Sequence, residues 1–191
     1  MNSGPTGMLL LSGGQSRRMG AAKHALAHPA GGSWGGRLVQ VFETVFPGGP
    51  IQVLGDPLPD RPDLCVIKDA REGPAKALRA WAALGAPAAR RWWVVACDQV
   101  RWTPASLEGW AHRAEAVDPQ ALHWVVAQHG GRLQPLGGWL SAALRPAIAT
   151  ATPRSLTALA ESLPHLVLPC DGPEWVDVDT PEERRAFEEE S

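Results

Sequence analysis

The sequence has no tyrosine and few cysteines: Cys65, Cys97 and Cys170. The cysteines are odd in number, lie far apart and form no C-x-x-C pair, so the sequence offers neither a disulfide framework nor a zinc-binding pattern. We therefore expect free thiols and a cytoplasmic location. The lack of tyrosine beside nine tryptophans indicates no particular chemistry.

An excess of charge of either sign is also missing. The chain contains 18 Lys and Arg residues against 20 Asp and Glu residues, which gives a net charge of -2. Proteins that bind polymeric nucleic acid or an anionic membrane need a strong positive surface potential. We expect neither as a partner.

Long apolar segments are absent as well. The first apolar run begins at Met8 and stops at Ser12, whereas a signal peptide or a membrane span needs a clearly longer one. We expect a chain that is neither exported nor embedded in a membrane.

What the sequence does contain is an alternation of short apolar runs with amphipathic stretches. Continuous apolarity favours strands that are buried on both faces. Five such strands are predicted, at Met8 to Ser12, Ile51 to Gly55, Leu64 to Lys68, Trp92 to Cys97 and Leu122 to Gln128. The length of 191 residues is that of one domain. We predict a single α/β domain over residues 1–191, Rossmann-like, with a mostly parallel sheet.

Local signals also predict a flexible segment and a final helix. Ala27 to Gly36 contains four glycines and is expected to form a flap. Thr180, Pro181 and Glu183 form the pattern of an N-cap, a first-turn proline and a capping-box acid. A helix is therefore predicted from about Pro181 into the acidic tail.

The clearest chemical signal is the small-residue loop after the first strand. Gly13 and Gly14 let backbone N–H groups approach phosphate oxygens, and cations follow at Arg17, Arg18 and Lys23. Glycine-rich backbone and charge-assisted hydrogen bonds are common means of binding phosphate. No Walker A sequence and no G-x-G-x-x-G fingerprint is present, which disfavours P-loop ATPases and NAD enzymes. We interpret the loop as a nucleotide phosphate site.

Candidate metal-binding carboxylates lie at two later points. Asp98 follows the buried run Trp92 to Cys97, and open α/β sheets place ligands at the carboxyl ends of their strands. Mg²⁺ usually takes one or two protein carboxylates, and we assign Asp98 and Asp179 as its ligands. Asp177 and Asp179 have i, i+2 spacing and are expected on one face of a strand. A helix N-cap for Asp98, and a plain strand end for the pair, are the alternatives.

Taken in order, five segments resemble the molybdenum cofactor guanylyltransferase family and the wider group of molybdopterin nucleotidyltransferases. They are Leu11-Ser12-Gly13-Gly14 with Ser16, Arg18-Met19-Gly20 and Lys23; Asp69 with Gly73-Pro74; Cys97-Asp98; Gln134-Pro135-Leu136; and the ending Val176 to Glu183. The resemblance spans most of the chain. It implies a three-layer sandwich of the nucleotide-diphospho-sugar transferase type.

The resemblance also implies an activity. A Mg²⁺-dependent enzyme would join GTP to molybdopterin, form molybdopterin guanine dinucleotide and release pyrophosphate, with Lys23, Asp98 and Arg18 as catalytic residues. The implied nucleotide-binding residues are Leu11, Ser12, Gly13, Gly14, Ser16, Arg17, Lys23, Asp69 and Asp98. The implied substrate-binding residues are Gln134, Pro135, Asp177 and Asp179. Transient contacts with other proteins of molybdenum cofactor biosynthesis and with acceptor proteins are expected.

The chain departs from the family pattern at several positions. Ser12 replaces the usual Ala, and Lys76 puts a long cation where a small residue is usual. Asp177 and Asp179 stand where guanylyltransferases usually have Asn and are closer to cytidylyltransferases, whereas the glycine pair of the loop favours GTP. CTP therefore stays open as the nucleotide. A non-catalytic nucleotide-binding paralogue and a sugar-phosphate or polyol-phosphate nucleotidyltransferase are the further alternatives.

Overall fold

The computed structural model describes residues 4–13, 22–68, 72–85 and 87–190. Five residues that the sequence analysis assigns to the nucleotide site lie outside these ranges: Gly14, Ser16, Arg17, Arg18 and Asp69. Their assignments stay predictions.

Strands and helices alternate along the described chain. The strands are β1 (Thr6–Leu11), β2 (Ile51–Leu54), β3 (Cys65–Ile67), β4 (Arg91–Ala96), β5 (Trp124–His129), β6 (Arg132–Ser141) and β7 (His165–Pro169). The α-helices are α1 (Trp34–Val45), α2 (Pro74–Ala83), α3 (Pro104–Val117), α4 (Arg145–Thr150), α5 (Leu156–Glu161) and α6 (Pro181–Glu190). Short 3-10 helices lie at Lys23–Ala25, Ala142–Leu144 and Pro173–Trp175.

All of these strands join one sheet in the order β3-β2-β1-β4-β6-β5-β7. Strands β1 to β4 pair in parallel with one another, and β5 pairs in parallel with β7. Strand β6 is antiparallel to both β4 and β5. The chain first builds outward from β1 to β3 and then returns to place β4 on the other side of β1. The strand order therefore reverses between β1 and β4.

Side chains of the central strands alternate between two helical layers. Met8 and Leu10 of β1 belong to the apolar cluster that includes residues of α1 and α3. Leu9 and Leu11 belong to the cluster that includes residues of α2, α4 and α5. Both faces of the sheet are buried, which is why continuous apolar runs identified these strands. The arrangement is the mostly parallel, three-layer α/β sandwich that the sequence predicted.

The five predicted strands are confirmed as β1 to β5, with ends that differ by at most two residues. The expected flap is shorter than Ala27 to Gly36, because Ser33 caps α1 by accepting a hydrogen bond from the Gly36 amide at 2.9 Å. The prediction of a strand for Asp177 and Asp179 is wrong. Both residues lie between a 3-10 helix and α6, on a segment without strand pairing.

Strands β6 and β7 were not identified from the sequence. β6 contains Pro135 and Gly137, which normally weaken a strand, at the place where its pairing register with β5 shifts. Gly137 has a φ of 82°, and its carbonyl accepts hydrogen bonds from the indoles of Trp93 and Trp110 at 3.0 and 2.9 Å. β7 lies at the sheet edge with partly exposed side chains. Tertiary contacts, rather than a local pattern, therefore define these two strands.

None of the helices in the described ranges has the length and hydropathy that a membrane crossing requires.

Candidate active site

The carboxyl ends of β1 and β4 meet where the strand order reverses. Leu11 and Ala96, the last residues of these strands, are register partners, and the Cys97 amide donates a hydrogen bond to the Leu11 carbonyl at 3.1 Å. The loops that carry Gly13 and Asp98 therefore start side by side. Open α/β sheets bind their ligands at such a reversal, so these strand ends are the candidate site.

The loop after β1 is held against the end of β2. The amides of Ser12 and Gly13 donate to the Leu54 carbonyl at 3.0 and 3.3 Å, and the buried Ser12 hydroxyl donates to the Asp56 carbonyl at 2.6 Å. Gly55 has a φ of 129°, and a Cβ there would lie 2.3 Å from the Gly13 nitrogen. Glycine is required at position 55 for this close approach, which fixes where the loop predicted to bind phosphate begins.

Lys23 brings a positive charge to these strand ends. It begins a short 3-10 helix and is 9% exposed. Its ammonium donates a hydrogen bond to Asp98 Oδ2 at 2.9 Å and another to Asp179 Oδ1. Burial alone would lower the pKa of Lys23, but the two carboxylates outweigh burial and raise the pKa above its ordinary value. Lys23 is therefore charged at neutral pH.

Asp98 follows β4 as predicted and is tied to the C-terminal segment. The Val178 amide donates a hydrogen bond to the Asp98 carbonyl at 3.1 Å. This bond brings the residues on both sides of Val178 towards Asp98 without any strand pairing. The N-cap alternative for Asp98 is wrong, because α3 is capped by Thr103, whose side chain accepts a hydrogen bond from the Ser106 amide.

The start of α6 orients Asp179. The Glu183 carboxylate accepts hydrogen bonds from the amides of Asp179 and Thr180 at 2.7 and 2.9 Å, and the Glu183 amide donates to the Thr180 hydroxyl at 3.2 Å. This reciprocal arrangement is the capping box that the sequence predicted. Because Asp179 precedes the cap, the box also fixes the backbone that carries its carboxylate.

Asp177 adds a third carboxylate. Its Oδ1 atom is buried and has no hydrogen-bond partner among the described residues. Burial, followed by the charges of Asp98 and Asp179, raises the pKa of Asp177 to about 6. Three carboxylates share the neighbourhood of Lys23, and this concentration of negative charge favours a bound cation.

The segments that carry these charged residues also contribute to one small apolar cluster. Its members, all buried, are Leu26, Trp34, Val100, Val178 and Phe187. The cluster contains the leucine three positions after Lys23, the valine two positions after Asp98 and the valine directly before Asp179. Burying these apolar residues together therefore brings the three charged side chains together.

No local pattern in the sequence marks this cluster, because its members are isolated apolar residues from different loops and from helices α1 and α6. One signal was available: Phe187 is the aromatic residue of α6, a helix that otherwise consists mainly of charged side chains. An aromatic residue at such a position indicates a packing contact.

The carboxylates suit a hard divalent cation without forming a complete metal site. Across the residues that the structure describes, no group of three His, Cys, Asp or Glu side chains is arranged to hold a metal ion. Asp98 and Asp179 contact one ammonium, so their oxygens can also approach one small cation. Mg²⁺ commonly combines one or two protein carboxylates with water and phosphate oxygens. The donors therefore fit a metal ion that binds together with a nucleotide.

Cys97 does not add a thiolate to these donors. The residue is buried, and burial, followed by the charge of Asp98, raises the pKa of the Cys97 thiol far above its ordinary value. The thiol is therefore protonated at neutral pH, whereas metals bind the thiolate.

Gln134 and Pro135, the residues implied to bind the substrate, lie on β6. Because β6 is antiparallel to β4, its first residues lie at the edge of the sheet where β4 ends. Their role as substrate contacts stays a prediction. Lys76, a departure from the family pattern, lies in the first turn of α2 and forms an exposed ion pair with Glu72.

Comparison with known proteins identifies the family. A family model described as "MobA-like NTP transferase domain" matches residues 8–167. The chain belongs to this family. The resemblance noted from the sequence motifs is thereby confirmed, and membership in the MobA-like family supports nucleotidyltransferase activity. No curated protein matches the sequence.

Solved structures share the fold. Rv0371c from Mycobacterium tuberculosis H37Rv has a TM-score of 0.71 and 23% identity over 98% of this chain and 99% of that chain. Its complex with manganese has a TM-score of 0.65 and 19% identity, over 99% and 100% of the two chains. Molybdopterin-guanine dinucleotide biosynthesis protein A from Archaeoglobus fulgidus has a TM-score of 0.70 and 17% identity, over 96% and 97%.

A more distant neighbour is a 4-diphosphocytidyl-2C-methyl-D-erythritol synthase, with a TM-score of 0.61 and 13% identity over 96% of this chain and 97% of that chain. At these identities the likeness establishes the fold alone. The shared fold agrees with the nucleotide-diphospho-sugar transferase type that the resemblance implied.

Proposed function

We propose that this MobA-like protein transfers the guanylyl group of GTP to the terminal phosphate of molybdopterin, forming molybdopterin guanine dinucleotide and pyrophosphate. The observation that carries this proposal is the group of three carboxylates around Lys23, which lies at the β1/β4 reversal directly beside the start of the phosphate loop. The name of the Archaeoglobus neighbour supports the choice of pterin.

In this reaction an oxygen of the pterin phosphate attacks the α-phosphorus of the nucleotide, and the bond to the β-phosphate oxygen breaks as pyrophosphate leaves. The nucleophile is already an anion, so no general base is required. Alignment of two anionic substrates and neutralisation of their charge supply most of the rate enhancement.

The chain's own residues divide this work. Asp98 and Asp179 would hold Mg²⁺, which neutralises phosphate charge when bound. Lys23 would donate charge-assisted hydrogen bonds to the phosphates of the nucleotide. The Gly13 amide is bonded to the Leu54 carbonyl and fixes the start of the loop. The loop amides that follow and Arg18, outside the described residues, are expected to bind the leaving pyrophosphate.

CTP is the main alternative to GTP as the nucleotide. Asp177 and Asp179 replace the asparagines usual in guanylyltransferases, and a structural neighbour is named for a cytidyl product. We favour GTP because of the Gly13-Gly14 sequence of the loop. A CTP-dependent molybdopterin cytidylyltransferase is the second candidate.

A pyrophosphate-release assay tests both candidates. Purified protein is incubated with Mg²⁺, GTP or CTP, and either molybdopterin or a sugar phosphate as acceptor. We expect release that requires both GTP and molybdopterin. Faster release with CTP reverses the choice of base, and release with the sugar phosphate alone overturns the choice of pterin. Loss of divalent metal by chelation is expected to stop the reaction.

A further inference from the structure

The ammonium of Lys23 lies between the two carboxylates that are the candidate metal ligands. It contacts Asp98 Oδ2 at 2.9 Å and also Asp179 Oδ1, while its stem is packed so that the side chain is 10% exposed. A compact ammonium and a hard divalent cation prefer the same partners, which are carboxylate oxygens. Lysine and metal therefore compete for one pair of acids.

We propose that Lys23 is a tethered cation that holds Asp98 and Asp179 together until a nucleotide arrives, and that the divalent metal can take its place only when phosphate oxygens draw Lys23 away. Metal binding is then conditional on nucleotide binding. This inference rests on the proposed function only in placing a nucleotide at the site.

Two further observations support this order of binding. The described residues offer no group of three side chains arranged to hold a metal ion, so the metal needs phosphate oxygens to complete its coordination. Lys23 belongs to the same connection between β1 and α1 as the phosphate loop, whose start is fixed at Gly13 by the end of β2. A phosphate that binds at this loop would offer the ammonium new oxygen partners.

The exchange also balances the local charge. In the nucleotide-free protein the Lys23 ammonium offsets part of the charge of the two acids. When a triphosphate binds, it brings several negative charges, and the site can then accommodate both the ammonium and a divalent cation. Without the triphosphate the site has less negative charge to offer a metal ion, so the metal ion binds more weakly.

Binding of Mn²⁺ to the nucleotide-free protein tests the proposal. Free Mn²⁺ is measured by its electron paramagnetic resonance signal during titration of the wild type and of Lys23→Met. Because the competing cation is removed, Lys23→Met is expected to bind Mn²⁺ at least tenfold more tightly. Lys68→Met is the matched control, since Lys68 is an exposed lysine that follows β3 at the same edge of the sheet. The control measures the general effect of losing one positive charge.

Further variants link the effect to the two acids. Lys23→Arg keeps the charge and should bind Mn²⁺ as weakly as the wild type. Adding Asp179→Asn to Lys23→Met should abolish the gain. Lys23→Gln serves as a second neutral variant if Lys23→Met fails to fold, with the fold checked by circular dichroism.

Equal or weaker Mn²⁺ binding by a folded neutral variant, relative to the wild type, overturns the proposal. So does a gain of the same size in Lys68→Met. These outcomes are independent of catalysis, because the titrations contain neither nucleotide nor pterin. Failure of the pyrophosphate-release assay would instead remove the proposed reaction while leaving the competition between lysine and metal standing.

Discussion

Replacing Phe187 by Ala removes the aromatic ring that packs α6 against the apolar cluster beside the carboxylates. The ring is 5% exposed, its centroid lies 5.3 Å from the His28 ring and 6.4 Å from the Trp34 ring, and the Arg101 guanidinium lies 5.2 Å from its centre. Phe187 shares its apolar cluster with Val178. The variant therefore loosens the segment that Val178 anchors beside the candidate metal ligands.

The size of the effect follows from burial. Truncating a fully buried Phe to Ala costs about 3–5 kcal/mol, and we expect about 3 kcal/mol because a small cluster near the chain end can partly collapse. Since 1.4 kcal/mol corresponds to a factor of ten, docking of α6 becomes about 100-fold less favourable. The two large clusters on the faces of the sheet do not contain Phe187, so the loss should appear as local opening rather than global unfolding.

Two measurements separate these outcomes. Hydrogen exchange at the Val178 amide reports docking, because this amide is bonded to the Asp98 carbonyl, and Mn²⁺ affinity in the presence of GTP reports the carboxylates. Phe187→Ala should show faster exchange and at least tenfold weaker Mn²⁺ binding, and Phe187→Leu should show near-normal values. Arg185→Ala, an exposed change on the same helix, is the control. Unchanged exchange and Mn²⁺ affinity in folded Phe187→Ala would refute the reasoning.

Two other substitutions test the site and its scaffold. Asp98→Asn keeps the size of the side chain but removes the charge that holds Mg²⁺, so turnover should fall by about 100-fold or more and recover partly at higher Mg²⁺; near-normal turnover at low Mg²⁺ contradicts this role. Burial alone would raise the pKa of Asp118. Hydrogen bonds from the His123 ring and from two backbone amides, together with the charge of Arg91, outweigh burial and hold the pKa of Asp118 below its ordinary value. The carboxylate therefore stabilises the fold above its unfolded pKa of about 3.9, and this stability is lost as pH falls through the lower folded value. Asp118→Asn should cost about 1–3 kcal/mol at neutral pH and reduce the acid dependence of urea unfolding; an unchanged dependence contradicts the assignment.

Some parts of the fold follow from local patterns and others do not. β4 is apolar from Trp92 to Ala96 because both of its faces are covered, and the pattern alone identified it. The Thr180 to Glu183 cap was equally clear, because a capping box forms within one turn of the chain. β6 was missed, because Pro135 and Gly137 are unusual inside a strand. The indoles of Trp93 and Trp110 that donate to the Gly137 carbonyl come from other parts of the chain.

The sequence by itself determined the α/β class, the family motifs and the position of Asp98 after a buried strand. Each of these features depends on residues that are close together in the chain, such as a continuous apolar run or a motif of fixed spacing. Only the tertiary structure decided that Lys23 lies between Asp98 and Asp179. That meeting depends on the reversal of strand order at β1 and β4 and on the burial of the cluster with Val178 and Phe187. Contacts between residues distant in the chain are set by packing, and no local periodicity encodes them.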